Sequence, residues 1–252
     1  MSFYIMRMMK KLSSSTLHII AMGLMLSDHL WATLFPSYDI LTCLGRLAFP
    51  IFAFLTVEGY FHTSDFRKYL LRMFLFACIS EIPFDLMYGG QIIYPYHQNV
   101  LWTFLISLIL IHWIDQIKKK NRLWLTVLGS FFLCLLGFIL GYLCMTDYYG
   151  AGIITVLGFY FFRGKGWRNY LGQLMVLYFV NVELLGGYYY PISIGPFYFE
   201  LQQQSLALLS LIFIWSYSGE KGISAKSFKY FCYLFYPVHM LAIYLLWQTL
   251  IG

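Results

Sequence analysis

Asp28 and His29 stand side by side in LMLSDHLWATLF, inside a stretch otherwise apolar enough to lie in a bilayer. A histidine near a carboxylate and shielded from water can be held in one tautomer and act as general base toward an incoming nucleophile. Neighbours on a helix point about 100° apart, so Asp28 need not touch the ring of His29. Glu81, Asp85 or an amide is then expected to orient it. Glu81 and Asp85 in SEIPFDL are four residues apart, on one face of a helix that Pro83 loosens between them. Arg46 lies inside an apolar run, where a charge must face the bundle interior. It serves there either as a brace for a carboxylate or in the chemistry itself.

Further polar residues cluster at the ends of apolar runs: His97, Gln98 and Asn99 in YHQNV; Asn181 and Glu183 in VNVEL; Glu200, Gln202, Gln203 and Gln204 in ELQQQ. His239 follows Pro237 in FYPVHM, and His18 shares a helix face with His29 but reads as a packing residue near the other end. Buried ionisable groups cost several kcal/mol in hydrocarbon, so their convergence at one level points to a water-accessible chamber. The plainer reading is an ion-paired network that braces short helices. No Gly-x-Ser-x-Gly elbow, phosphate-binding loop or H-E-x-x-H run occurs, and no metal site is expected. Five cysteines without C-x-x-C spacing read as small core residues.

The elements that must position these groups are membrane helices. The chain is 60% hydrophobic and 11% charged, too apolar to cover a soluble fold of this length. It reads as one all-α polytopic membrane domain over 1–252, with about nine spans near 14–35, 39–61, 66–88, 99–117, 122–144, 148–162, 167–185, 199–217 and 228–250. The basic N-terminus runs into a first span of full length without a cleavage site, so that span is expected to be retained. Of 17 Lys and Arg residues, all but Arg46 fall at the N-terminus or in every second connection; the connections around Pro36, Tyr94, Asp147 and Tyr190 have none. This predicts a cytoplasmic N-terminus and an external C-terminus, and attributes the net charge of +6 to topology, with no nucleic-acid partner. At 1.5 Å per residue, Asp28 and His29 rise about 20 Å from the cytoplasmic side and Arg46 descends about 10 Å from outside, so they meet in the outer half.

The ordered segments SDHLWATLFP, GRLAFPIFAFLTVEGYFHTSDFRKYLLR, SEIPFDL, QNVLWTFL, DYYGAGIITVLGFYFFR and YFCYLFYPVHML closely resemble the TraX family, from about Ser14 to Leu246. The resemblance implies a transmembrane acyltransferase of the acyltransferase-three-like group in the bacterial cytoplasmic membrane. Such a protein takes acetyl-CoA from the cytoplasm and acylates an amine or hydroxyl acceptor outside. His29 corresponds to the essential early histidine of that group, and Arg46 stands in for an arginine the group carries on the histidine's own helix. On this reading Asp28, His29, Arg46, Glu81 and Asp85 are catalytic candidates. Gln98, Asn99, Gln203, His239 and Glu58 are candidates for holding the acceptor or the developing oxyanion. Arg67, Lys68, Arg72, Arg163 and Lys165 could pair with CoA phosphates, or act only as topology determinants. The rival class is a proton-coupled secondary transporter, which also uses buried His, Asp and Glu; the two halves show no convincing repeat of the kind transporters carry.

Overall fold

A computed structural model describes residues 12–250; Arg7, Lys10 and Lys11 lie outside that range. Helix α1 spans Ser14–Thr33 and starts where the Ser13 hydroxyl accepts the Thr16 N–H at 3.2 Å. The second span is split into α2 (Asp39–Gly45) and α3 (Ala48–His62), where one continuous helix was expected. Pro50 causes the split: it has no N–H for the Arg46 carbonyl and its ring crowds that group. Arg46 therefore leaves the helix at a break.

Helices α4 (Phe66–Gly89), α5 (Val100–Lys118) and α6 (Leu123–Leu143) fall close to the predicted ranges. Local chemistry sets two of their starts, since Asp65 accepts the Lys68 N–H at 3.0 Å and Asn99 accepts the Leu101 N–H at 3.0 Å. Then come α7 (Tyr149–Phe161) and α8 (Trp167–Tyr178), the latter continuing into a π-helical turn, Phe179–Leu184. The last helix, α10, is Lys226–Leu250.

The eighth span departs most from expectation. Its residues 199–202 join the connection before it in an antiparallel hairpin, β1 (Tyr189–Ile194) with β2 (Phe197–Gln202), pairing Tyr189 with Gln202 and Ile194 with Phe197. Gly195 takes φ 59° in the two-residue turn, a conformation glycine adopts freely. A 3₁₀ segment, Gln203–Leu209, and short α9, Ser210–Trp215, complete the connection. The fold is thus helical with one hairpin.

Four helical stretches among the described residues are long and apolar enough to cross a membrane: Asp39–His62, Val100–Lys118, Leu123–Leu143 and Lys226–Leu250. The first is the centre of the bundle, with 67% of its apolar window buried, and Leu123–Leu143 is peripheral, with 6%. A helix so apolar and so uncovered belongs against lipid. Cys78 and Cys144 are likewise exposed, so neither is the core residue expected of it.

The connections gather into two groups. At one end, Ser14 N–H donates to the Glu220 carbonyl at 2.8 Å, and Lys165 Nζ to the Ser218 carbonyl at 3.1 Å. At the other, Gln98 N–H donates to Met145 O at 2.8 Å and Asp147 N–H to Gln98 O at 2.9 Å. Lys- and Arg-bearing connections make up the first group, connections lacking them the second.

Candidate functional site

The near-perpendicular directions of Asp28 and His29 send them to different neighbours. Asp28 faces α2, accepting the Thr42 hydroxyl at 2.9 Å and forming a short ion pair with the Arg46 guanidinium. Gly45 permits this approach, because a Cβ there would overlap the Asp28 side chain. Arg46 also donates from Nη1 to Gln204 Oε1 at 3.4 Å, and Gln204 Nε2 donates to Asn181 Oδ1 at 2.8 Å. Asn181 is fixed by donating to Leu177 O at 2.8 Å in the π-helical region. A continuous polar chain, Asp28–Arg46–Gln204–Asn181, thus joins α1, the helix break, the 3₁₀ segment and the end of α8. The side chains of Arg46 and Asp28 keep 18% and 16% exposure, so the pair is shielded without being sealed.

His29 faces α10 instead. Its Nδ1 lies 2.7 Å from His239 Nε2, and His239 Nδ1 lies 2.6 Å from Phe235 O. Tyr88 meets the His29 ring edge-on at 6.1 Å and Tyr236 lies at 6.4 Å. Neither Glu81, Asp85 nor an amide orients the ring; a second histidine does. The ascents from Ser14 to His29 and from Lys226 to His239 are each about 20 Å at 1.5 Å per residue. Equal depth on two helices that start at one end was the available signal for this pair.

Glu81 and Asp85 turn to local support. Glu81 accepts Trp102 Nε1 at 2.6 Å and takes a short hydrogen bond from Asn99 Nδ2, which also donates to Ala77 O at 2.9 Å. Asn99 is fully buried and caps α5, so the two side chains fix the start of that helix. Asp85 Oδ2 accepts the Tyr94 N–H at 2.9 Å, while its buried Oδ1 has no hydrogen-bond partner. Gln98 joins two connections through its backbone and donates its side chain to Pro95 O at 3.2 Å. Gln203 donates to the Tyr190 hydroxyl at 3.0 Å, tying the hairpin to the 3₁₀ segment.

His97 and Asp147, which no local sequence pattern links, lie 3.3 Å apart. Burial lowers the basicity of His97, but the Asp147 carboxylate outweighs it and holds the imidazole above its ordinary value. The Tyr190 hydroxyl is pushed up to about 12 by burial first and then by Cys43 beside it.

The residues expected to meet CoA phosphates lie at the opposite end, and several already have partners. Arg163 grips Glu58 with two bonds of 2.6 and 3.2 Å and lies 4.2 Å from the Phe61 ring centroid. Glu58 is twelve residues from Arg46, about 18 Å along α3, so it does not share the His29 site. Lys68 pairs with Asp65 at 3.2 Å, and Arg67 is exposed. Arg72 lies 6.0 Å from the Tyr69 ring centroid, with a buried Nε that has no hydrogen-bond partner. Two apolar grooves of about 560 and 340 Å³, along α8 and between α5 and α6, touch none of the His29 or Arg46 groups.

The fold and this constellation define a helical membrane protein with a buried imidazole pair beside a bridged carboxylate–guanidinium pair. Over residues 13–247 the sequence matches the family model described as TraX protein, and the chain belongs to the TraX family. A probable fimbrial assembly protein, FimC of serogroup H1 from Dichelobacter nodosus, is 29% identical over 226 residues, 86% of this chain and 84% of that protein. No solved structure matches the chain.

Proposed function

We propose that the protein is an acetyltransferase of the bacterial cytoplasmic membrane, moving an acetyl group from cytoplasmic acetyl-CoA to an amine or hydroxyl presented outside. The single observation that carries this reading is the environment of His29: a buried imidazole with one nitrogen engaged, one residue along α1 from the carboxylate that, with Gln204, holds a guanidinium at a helix break. A base and an anion-stabilising donor are the two groups acyl transfer requires. His29 takes the proton of the attacking amine or hydroxyl as the acceptor bonds to the thioester carbonyl carbon. Arg46 faces the oxygen on which negative charge develops. His29 returns the proton to the departing CoA sulfur when the carbon–sulfur bond breaks. TraX membership and the fimbrial assembly relative support an acceptor among surface structures, such as the N-terminus of a fimbrial subunit.

Purified protein in nanodiscs is expected to melt at higher temperature with acetyl-CoA than with an equal concentration of coenzyme lacking its 3′-phosphoadenosine part. Envelope material from cells carrying the gene is expected to hold an acetylated species missing from the deletion strain. No stabilisation and no such species would overturn the reading, and a transporter would also ignore acetyl-CoA.

The same reading places nine spans with the N-terminus in the cytoplasm and the C-terminus outside, supported by the segregation of basic and non-basic connections to opposite ends. A variant retaining only Cys144, exposed beside the Gln98–Thr146 connection, is expected to react with a membrane-impermeant maleimide on intact cells. One retaining only Cys78, exposed within α4, is expected to resist it. Cys78, inside the span, is the lipid-shielded control; labelling of Cys144 only after the membrane is opened would invert the orientation.

A further inference from the structure

We propose that His239 is the positioning residue for His29: it holds His29 in the Nδ1–H tautomer and so leaves Nε2 as the nitrogen that takes the acceptor's proton. The inference rests on the proposed role of His29 as base and adds to it which nitrogen acts and what selects it.

The chain of ring protons starts at Phe235. Its carbonyl oxygen only accepts, so the 2.6 Å contact requires the proton on His239 Nδ1. Pro237 lies between the two residues, in a stretch of α10 where the missing proline N–H loosens the helix and gives the ring room to reach back. A neutral imidazole carries one ring proton, so His239 Nε2 is then a bare acceptor. The 2.7 Å contact with His29 Nδ1 therefore places the proton on His29. With its single proton at Nδ1, neutral His29 has its lone pair at Nε2.

Ring geometry agrees with a true hydrogen bond. The two planes are 11° apart and their centroids 4.9 Å apart. A 2.7 Å bond plus the two centroid-to-nitrogen reaches gives about that separation, so the rings meet end to end, nearly coplanar. Face-to-face stacking at this nitrogen separation would force the rings through van der Waals contact. In the end-to-end arrangement the His29 N–H points along the in-plane lone pair of His239, the direction a hydrogen bond prefers. No carboxylate hydrogen-bonds either ring among the described residues, so nothing compensates a resident positive charge and the neutral pair is the resting state.

Catalytic histidines are usually oriented by a carboxylate or a backbone carbonyl. Here the backbone carbonyl acts at one remove, through a second imidazole that can share the positive charge when His29 accepts its proton. The Nδ1 proton stays between the rings while Nε2 gains one from the acceptor and gives it to the thiolate. No other proton donor is needed.

Histidine-labelled protein in nanodiscs, read by ring ¹⁵N NMR with the His29 signals assigned by their disappearance in His29→Gln, tests this without any substrate. We expect Nδ1 of His29 to be protonated and Nε2 to give the bare-nitrogen signal near neutral pH. His239→Ala is expected to move His29 toward the Nε2–H form that imidazole prefers in water. His239→Gln, whose amide oxygen can accept from Nδ1, is expected to restore the native tautomer and recover most of the acetyl transfer lost in the alanine variant. A bare Nδ1 on His29 in the native protein overturns the inference, even if His239→Ala fails to fold. An unchanged tautomer in a folded His239→Ala overturns it too. The expected tautomers without any acetyl transfer would retain the pairing and sink the enzymatic reading; transfer with the opposite tautomer would do the reverse.

Discussion

Replacing His29 with alanine is expected to reduce acetyl transfer by about 10²- to 10⁴-fold, the range a positioned general base supplies. At about 1.4 kcal/mol per factor of ten this is roughly 3–5.5 kcal/mol of transition-state stabilisation. Acetyl-CoA should still raise the melting temperature of the variant, because the expected binding groups lie at the opposite end of the bundle. Some loss of stability accompanies the substitution: His239 Nε2 loses its partner, and a buried unsatisfied acceptor costs about 1–3 kcal/mol. Activity and folding therefore need separate readouts. Added imidazole offers one, since the truncated side chain leaves space for a free ring; partial recovery of transfer with unchanged melting is expected. Near-normal transfer by the alanine variant would remove His29 from the role of base.

Much of the helical frame was legible, for physical reasons that can be named residue by residue. Asp65 and Asn99 cap α4 and α5 where their side chains stand in the sequence, and the lipid-facing apolar run of α6 has little choice but to be a helix. The break at Arg46 was legible in principle through Pro50, whose ring acts on the carbonyl four residues earlier; reading the apolar run alone hides it. The hairpin was missed because YYPISI falls in a stretch read as a connection and the end of FYFELQ was joined to the apolar run that follows it; aromatic and β-branched residues flanking Gly195–Pro196 mark the strands.

Depth arithmetic brought Arg46 to the level of Asp28, and an ion pair joins them there. It did not reveal the partner of His29, 210 positions away, since no local pattern encodes contact between the first and last helices. Glu58 and Arg163 were assigned different ligands because their mutual contact spans 105 positions. For charged residues in a bundle, sequence gives depth readily and partners poorly. The unexpected pairings of His29, Glu58 and His97 are long-range, whereas the caps at Asp65 and Asn99 are local.

Removing either charge of the Asp28–Arg46 pair is expected to cost roughly 3–5 kcal/mol of stability, because the survivor stays mostly buried without compensation. Removing both should cost clearly less than the sum, so a double-mutant cycle read by thermal unfolding in nanodiscs should show coupling; additivity would mean the pair is not a brace. Arg46→Lys keeps the charge but not the fork that reaches Asp28 and Gln204 together, and should recover only part of the loss. Stability alone does not distinguish a brace from a catalytic group. Exchange of the two residues, Asp28→Arg with Arg46→Asp, makes the distinction. The ion pair can re-form across the same contact, so much of the lost melting temperature should return. The guanidinium, however, now starts from α1 and no longer sits at the Pro50 break where Gln204 aligns it. If Arg46 stabilises the oxyanion, transfer stays about 10²- to 10³-fold down, the usual cost of one such donor. Recovery of transfer together with stability would reduce Arg46 to a brace and leave His29 without its electrostatic partner.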